Sequence, residues 1–108
     1  MSPRLFNNVV ELVSHYTQVE EDELFTKSRK KALVDARYVI IFICRQLGIK
    51  QVYIQRFFKL KGFDVHYTTL FHAYHRIEDD VDDDELLEDM INIIISKIRQ
   101  SEPKISQL

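Results

Sequence analysis

Thr68-Thr69-Leu70-Phe71-His72-Ala73-Tyr74-His75-Arg76-Ile77 is the stretch that decides how this chain is organised. At about 100° per residue, Leu70, Ala73, Tyr74, Ile77 and Val81 fall on one apolar stripe of a helix. Thr68, His72, His75 and Arg76 fall on the opposite side, with Thr69 on its flank. Small hydroxyls at the start of a helix, followed by hydrogen-bonding and cationic side chains, suit the floor of a DNA groove. An ordinary amphipathic helix shows the same pattern, so the surrounding chain has to separate the two readings.

Upstream, Leu5, Phe6, Val9, Val10, Leu12, Val13 and Tyr16 recur at helical spacing and predict a first helix of about three turns. Val19 to Phe25 predicts a short second helix, its acids clustered in the first turn where the helix dipole favours them. Thr26 to Lys31 reads as a basic loop. Lys31 to Leu47 predicts the longest apolar helix, with Ala36, Val39, Ile40, Ile43 and Leu47 facing the core and Gly48 as its C-cap. A fourth helix is expected from Lys50 to Leu60, with Val52, Phe57 and Phe58 apolar. A turn around Gly62-Phe63-Asp64 leads into the helix quoted above, expected from His66 to Asp79. Asp82-Asp83-Asp84-Glu85 resembles an acidic capping box opening a last helix, Leu86 to Gln100. The expectation is one helical domain over residues 1–100, with a flexible tail at 101–108 that holds Pro103. No strand-like alternation and no internal repeat interrupts the pattern, so the fold class is all-α.

The bulk composition agrees. A chain of 108 residues is long enough for one domain with a single core. Hydrophobic residues make up 45% and charged residues 30%, which fits a globular rather than a disordered protein. Two glycines and two prolines are too few for a turn-rich β architecture. Cys44 is the single cysteine, so no internal disulfide can form. Within the apolar run from Val39 it reads as a buried structural thiol rather than a nucleophile. That run is too short to span a membrane, and the N-terminus lacks the apolar core of a secretory signal. The expected location is the cytoplasm.

The net charge of −2 conceals a segregation. Residues 27–76 carry eleven cations against Asp35 and Asp64, a balance of +9. The remaining segments carry four cations against fifteen acids, a balance of −11. A ligand feels the local field within a Debye length of ~8–10 Å, so the middle segment matters more than the total. The plainer alternative is mutual neutralisation of the two segments across the fold.

Two consecutive helices with a short turn between them, the second polar and cationic on one side, make a helix-turn-helix candidate. Helical hairpins occur in every all-α fold, so further signals are needed. The loop Lys27-Ser28-Arg29-Lys30-Lys31 supplies one, because four cations in five positions is dense for a surface without a ligand. Glu23-Leu24-Phe25-Thr26-Lys27-Ser28-Arg29-Lys30-Lys31, then Ala36-Arg37 and the apolar helix to Gln46-Leu47, resembles the C-terminal DNA-binding domain of the bacterial replication initiator DnaA. Thr68 to Ile77 resembles the recognition helix of the same domain, and the order and rough spacing agree from Val9 to Val81.

The resemblance implies a multi-helix bundle similar to the Trp-repressor-like fold, double-stranded DNA as partner, and no cofactor or metal. It implies that Arg29 enters the minor groove while Lys27, Lys30 and Lys31 grip phosphates. Arg37 and Arg45 match basic positions on the long helix, and Thr68 and Thr69 match residues that read base edges in the major groove. His66, Tyr67, His72 and Arg76 complete the expected DNA-binding set. His66 and Tyr67 stand where the family has an aspartate–histidine pair, and the turn between Phe58 and His66 is a few residues longer. A base preference of its own is the expected consequence. There is no Gly-x-x-x-x-Gly-Lys-Ser/Thr loop, and the length leaves no room for an ATPase module. The chain is therefore expected to be a free-standing form of the domain, a replication or transcription regulator of a bacterium, phage or mobile element.

Other readings compete at individual residues. Thr68 and Thr69 would equally serve as helix caps. His72 and His75 are spaced to share an ion, but no cysteine or placed carboxylate completes a metal set. As groove-facing donors they would strengthen DNA binding as pH falls. Tyr67, Phe63 and Phe71 are open between the core and stacking on the turn. The acidic run from Glu78 to Glu85 reads as a solvated junction. Leu86, Leu87, Met90, Ile91, Ile93, Ile94, Ile95 and Ile98 spread wider than one apolar stripe, which suits a core helix with two neighbours or a homodimer surface. A protein-interaction module that has lost DNA reading is the competing function. An enzyme is the weakest reading, since no carboxylate pair or activated nucleophile is present.

Overall fold

The computed structural model describes residues 2–101, where all regular structure is helical. The helices are α1 (Arg4–Thr17), α2 (Glu21–Leu24), α3 (Lys31–Gln46), α4 (Gln51–Leu60), α5 (Tyr67–Asp83) and α6 (Glu85–Ser101). Ser101 closes α6, and the rest of the expected tail lies outside the described residues. None of the described helices is long and apolar enough to cross a membrane.

Helix α3 is the hub, packed against α1, α2, α4, α5 and α6. Its run Val39-Ile40-Ile41-Phe42-Ile43-Cys44 is buried at every position, because neighbours surround the helix on all sides. Cys44 is completely enclosed, and burial pushes its thiol far above the ordinary range, which removes the reactive thiolate. Phe6 of α1 anchors the other side of the core, its ring 5.4 Å from both Phe57 and Phe58 and 6.4 Å from Phe25. Such tilted and edge-on pairs add to simple area burial.

Two glycines stop the helices that matter most. Gly48 (φ 88°) follows α3 and Gly62 (φ 89°) follows α4, both in the left-handed region that side-chain-bearing residues avoid. The Ile49 amide donates to the Cys44 carbonyl and the Gly48 amide to Arg45, both at 3.0 Å. The Phe63 amide donates to Phe58 at 3.0 Å and the Gly62 amide to Lys59 at 2.9 Å. This paired pattern is the Schellman motif, and its usual apolar contact is present as Phe63 against Phe58, 5.9 Å between centroids. Phe63 thus belongs to the turn and the core together.

Several boundaries and faces differ from expectation. The buried stripe of α4 is Ile54, Phe57 and Phe58, at i, i+3, i+4, whereas Val52 points to solvent. Helix α5 continues four residues past Asp79, carried by the Arg76–Asp80 pair at 3.4 Å and by Val81 against the core. The capping box before α6 is half-built. Asp84 Oδ1 accepts the Leu87 amide at 3.0 Å, but Leu87 itself has no carboxylate to return the bond. Helix α6 packs on α1, α3 and α5 through Ile91, Ile94 and Ile98, which supports its reading as a core helix. Leu86 and Ile93 remain outside, 82% and 44% exposed.

Candidate nucleic-acid interface

Helices α4 and α5, joined by residues 61–66, form the helix-turn-helix. The apolar stripe of α5 faces inward as its spacing requires, with Leu70, Ala73 and Ile77 buried and Tyr74 and Val81 packed on the core. Tyr67, Thr68, Phe71, His72 and His75 are exposed along the opposite side, and His66 is exposed just before the helix. Thr69 is half-buried at the border. The capping position of α5 is His66, with no side-chain cap bond, so neither threonine is the cap.

The outward face is rotated from its expected centre. Arg76 is drawn across to α3, where it hydrogen-bonds Asp35 and lies 5.1 Å from the Tyr38 ring centroid. Asp35 also accepts from Lys31 Nζ at 2.9 Å. Burial works against ionisation of Asp35, yet the hydrogen bonds and charges of Lys31 and Arg76 outweigh it and hold the carboxyl below the ordinary carboxylate value. The bond that Arg76 donates to Asp35 in turn raises the guanidinium. Phe71 occupies the exposed side instead of Arg76. His72 meets Tyr38 edge-on at 6.0 Å, and His75 Nδ1 lies 3.2 Å from Glu78 Oε1.

Arg37, expected as a DNA-facing cation, is an internal brace. It is 6% exposed, and its guanidinium donates to the carbonyls of Leu24 (2.6 Å), Thr26 (2.8 Å) and Ser28 (2.9 Å). Those carbonyls belong to the end of α2 and to the basic loop, a segment with almost no backbone pairing of its own. The planar fork of arginine suits three acceptors at once. Its carbon also lies 4.6 Å from the Phe63 ring centroid, which ties the loop to the turn of the helix-turn-helix. Arg45 sits near the far end of α3, about 21 Å along the axis from Lys31 by helical rise, over the Tyr74 ring at 5.3 Å. The structure therefore separates Arg45 from the loop cations.

The loop and turn enclose a cleft of about 580 Å³. Lys27, Ser28 and Arg29 form one wall, residues 62–66 the other, and Tyr38 and Thr69 reach it from α3 and α5. Gln55 fastens the turn by donating to the Val65 carbonyl at 2.8 Å. Lys27, Arg29 and Lys30 are exposed and make no ion pair among the described residues, whereas Lys31 is shared with Asp35. Helices α3, α4 and α5 start at Lys30, Lys50 and His66 without a side-chain cap and without an acid in the first turn. By contrast α2 and α6 begin with acids. Free amides at three helix starts add partial positive charge to the fixed cations.

Sequence reasoning missed Asp35, Gln55 and Lys50, and left Phe63 and Phe71 open. For Phe71 a signal existed, since it lies off the stripe of Leu70, Ala73 and Ile77. For Asp35 and Gln55 there was none, because their partners are remote in sequence.

A family model described as the bacterial dnaA protein helix-turn-helix matches residues 6–77, from α1 through Ile77 of α5. Curated relatives agree with it. The chromosomal replication initiator protein DnaA of Corynebacterium jeikeium is 27% identical over 92 residues, 85% of this chain and 15% of the relative. That of Lachnoclostridium phytofermentans is 24% identical over 90 residues, 83% of this chain and 19% of the relative. The chain thus spans less than a fifth of the length of these relatives. With two separated elements inside the matched residues, the basic loop and the α4–α5 pair as far as Ile77, the chain belongs to the bacterial DnaA helix-turn-helix family.

Proposed function

We propose that this protein binds duplex DNA without catalysing a reaction on it. The N-terminal half of α5 enters the major groove, and the 27–31 loop lies over the adjacent backbone with Arg29 reaching into the minor groove. The observation that carries this reading is the Arg37 brace, which holds a loop beside the start of α5 whose Lys27, Arg29 and Lys30 make no ion pair among the described residues. A solvated loop would need no such anchoring. Lys27, Arg29 and Lys30 contact DNA directly in this arrangement, as do His66, Tyr67, Thr68, Thr69 and His72. Lys31 and Arg76 act partly through Asp35, and Arg37 acts only by positioning. The uncapped helix starts at Lys30, Lys50 and His66 face phosphates. The relatives are named as chromosomal replication initiators, which supports a role in replication or its regulation, with cytoplasmic DNA as the site of action.

Each neutralised phosphate contributes about −0.9 to the slope of log affinity against log salt, so four to six contacts give roughly −4 to −5. Titration of a mixed-sequence duplex across a salt series reads this slope. Binding that ignores salt, or no binding at all, rejects the proposal.

A second reading concerns oligomeric state. Leu86 and Ile93 lie seven residues apart on α6, on one outward face. Pairing two copies there would present two α5 helices to a twofold DNA site.

A further inference from the structure

We infer that Phe71, with Tyr67 beside it, reads the 5-methyl groups of thymines in the major groove; this rests on the duplex-DNA reading above. Tyr67 and Phe71 are 61% and 56% exposed, large apolar rings on a helix whose opposite side already fills the core. Solvent-facing aromatic rings at i, i+4 lie on one face and form an apolar strip next to Thr68. Their spacing along the axis is ~6 Å by helical rise, comparable with two base steps of ~3.4 Å. The Phe71 ring is also braced. His75 meets it at 4.3 Å between centroids, 62° between planes, and Glu78 holds His75 from the next turn. A ring held this way loses little freedom on binding.

The surroundings identify the occupant. The strip lies within the segment of residues 27–76 that carries a balance of +9, so a polyanion with an apolar feature fits it better than an apolar protein face. Thymine is the base that offers an apolar methyl in the major groove, and Phe is among the side chains suited to it.

The test starts with a duplex selected from a random pool by the whole chain, resynthesised with deoxyuridine replacing thymine one position at a time. Loss of one buried methyl should weaken binding about fourfold at each contacted position. Phe71→Ala, an exposed substitution that leaves the core intact, should bind the thymine and deoxyuridine forms equally at the position nearest the ring. Tight duplex binding with no thymine preference at any position overturns the inference and leaves DNA binding standing. A thymine preference unchanged in Phe71→Ala also overturns it. No binding to any duplex overturns the DNA reading itself, and this inference with it.

Discussion

The guanidinium of Arg37 packs 4.6 Å from the ring centroid of Phe63, joining the basic loop to the turn between α4 and α5. One residue therefore sets the spacing of two elements that are far apart in sequence. Lysine keeps the charge but cannot present a planar fork to three carbonyls. Arg37→Lys should cost about 3–6 kcal/mol, since hydrogen bonds from charged donors contribute ~1.5–3 kcal/mol each and two would be lost. Urea unfolding measures the loss, and amide exchange should quicken over residues 25–30. Wild-type stability in this variant would show that the three bonds are dispensable.

Arg29 separates affinity from stability. It is exposed and makes no ion pair among the described residues, so Arg29→Ala should leave unfolding within about ±0.5 kcal/mol, as for other open surface positions. Affinity for every duplex should drop, with the salt slope shallower by about one. Thr68→Ala should do the opposite, keeping the salt slope and relaxing preference at one base pair by ~1–3 kcal/mol.

Asp35 makes stability depend on acid. Its carboxyl is held below the value of 3.8 that it has when unpaired, so the unfolded chain takes up the proton more readily than the fold. The contribution is complete above that value and is lost as pH falls through the lower folded one. Asp35→Asn should cost about 0.5–1 kcal/mol near neutral pH, a modest figure because solvent screens a partly exposed pair. The gap between variant and wild type should close below about pH 4. A constant gap across the acid range would mean that the ion pairs with Lys31 and Arg76 add nothing.

The two sides of α6 should respond differently. Ile94 is fully buried, and Ile94→Ala should destabilise by ~2–5 kcal/mol through lost contact and the cavity left behind. Leu86→Ser should leave the monomer's stability within about 0.5 kcal/mol. Sedimentation equilibrium of wild type and Leu86→Ser then decides the oligomeric question. A dimer that Leu86→Ser dissociates supports the α6 interface, and a wild-type monomer at all concentrations removes it.

Most elements are legible in the sequence. Leu5 to Tyr16 repeats with a helical period and forms α1. Gly48 marks the end of α3, and the stripe from Leu70 to Ile77 turns inward. The structure departs from that reading at faces and ends. Val52, apolar like Phe57 and Phe58, faces solvent, and residue type alone does not show which way a short helix is rotated. Helix α5 outruns the expected end at Asp79 because the acids after it only resemble a junction, while Arg76 and Val81 hold them in the helix.

Sequence by itself determined the all-helical class, the α4–α5 pair, the burial of Cys44 and the clustering of cations in residues 27–76. Helical period and composition act locally, so one chain is enough to read them. Only the tertiary structure decided what the arginines do. Arg37 finds carbonyls 9, 11 and 13 positions away, and Arg76 finds Asp35 at a distance of 41 positions. Periodicity says which residues share a face, but the partner across that face is set by how helices pack. That packing turns Arg37 inward as a brace and ties Arg76 to Asp35, and it leaves Phe71 on the open side of the helix that carries Thr68-Thr69.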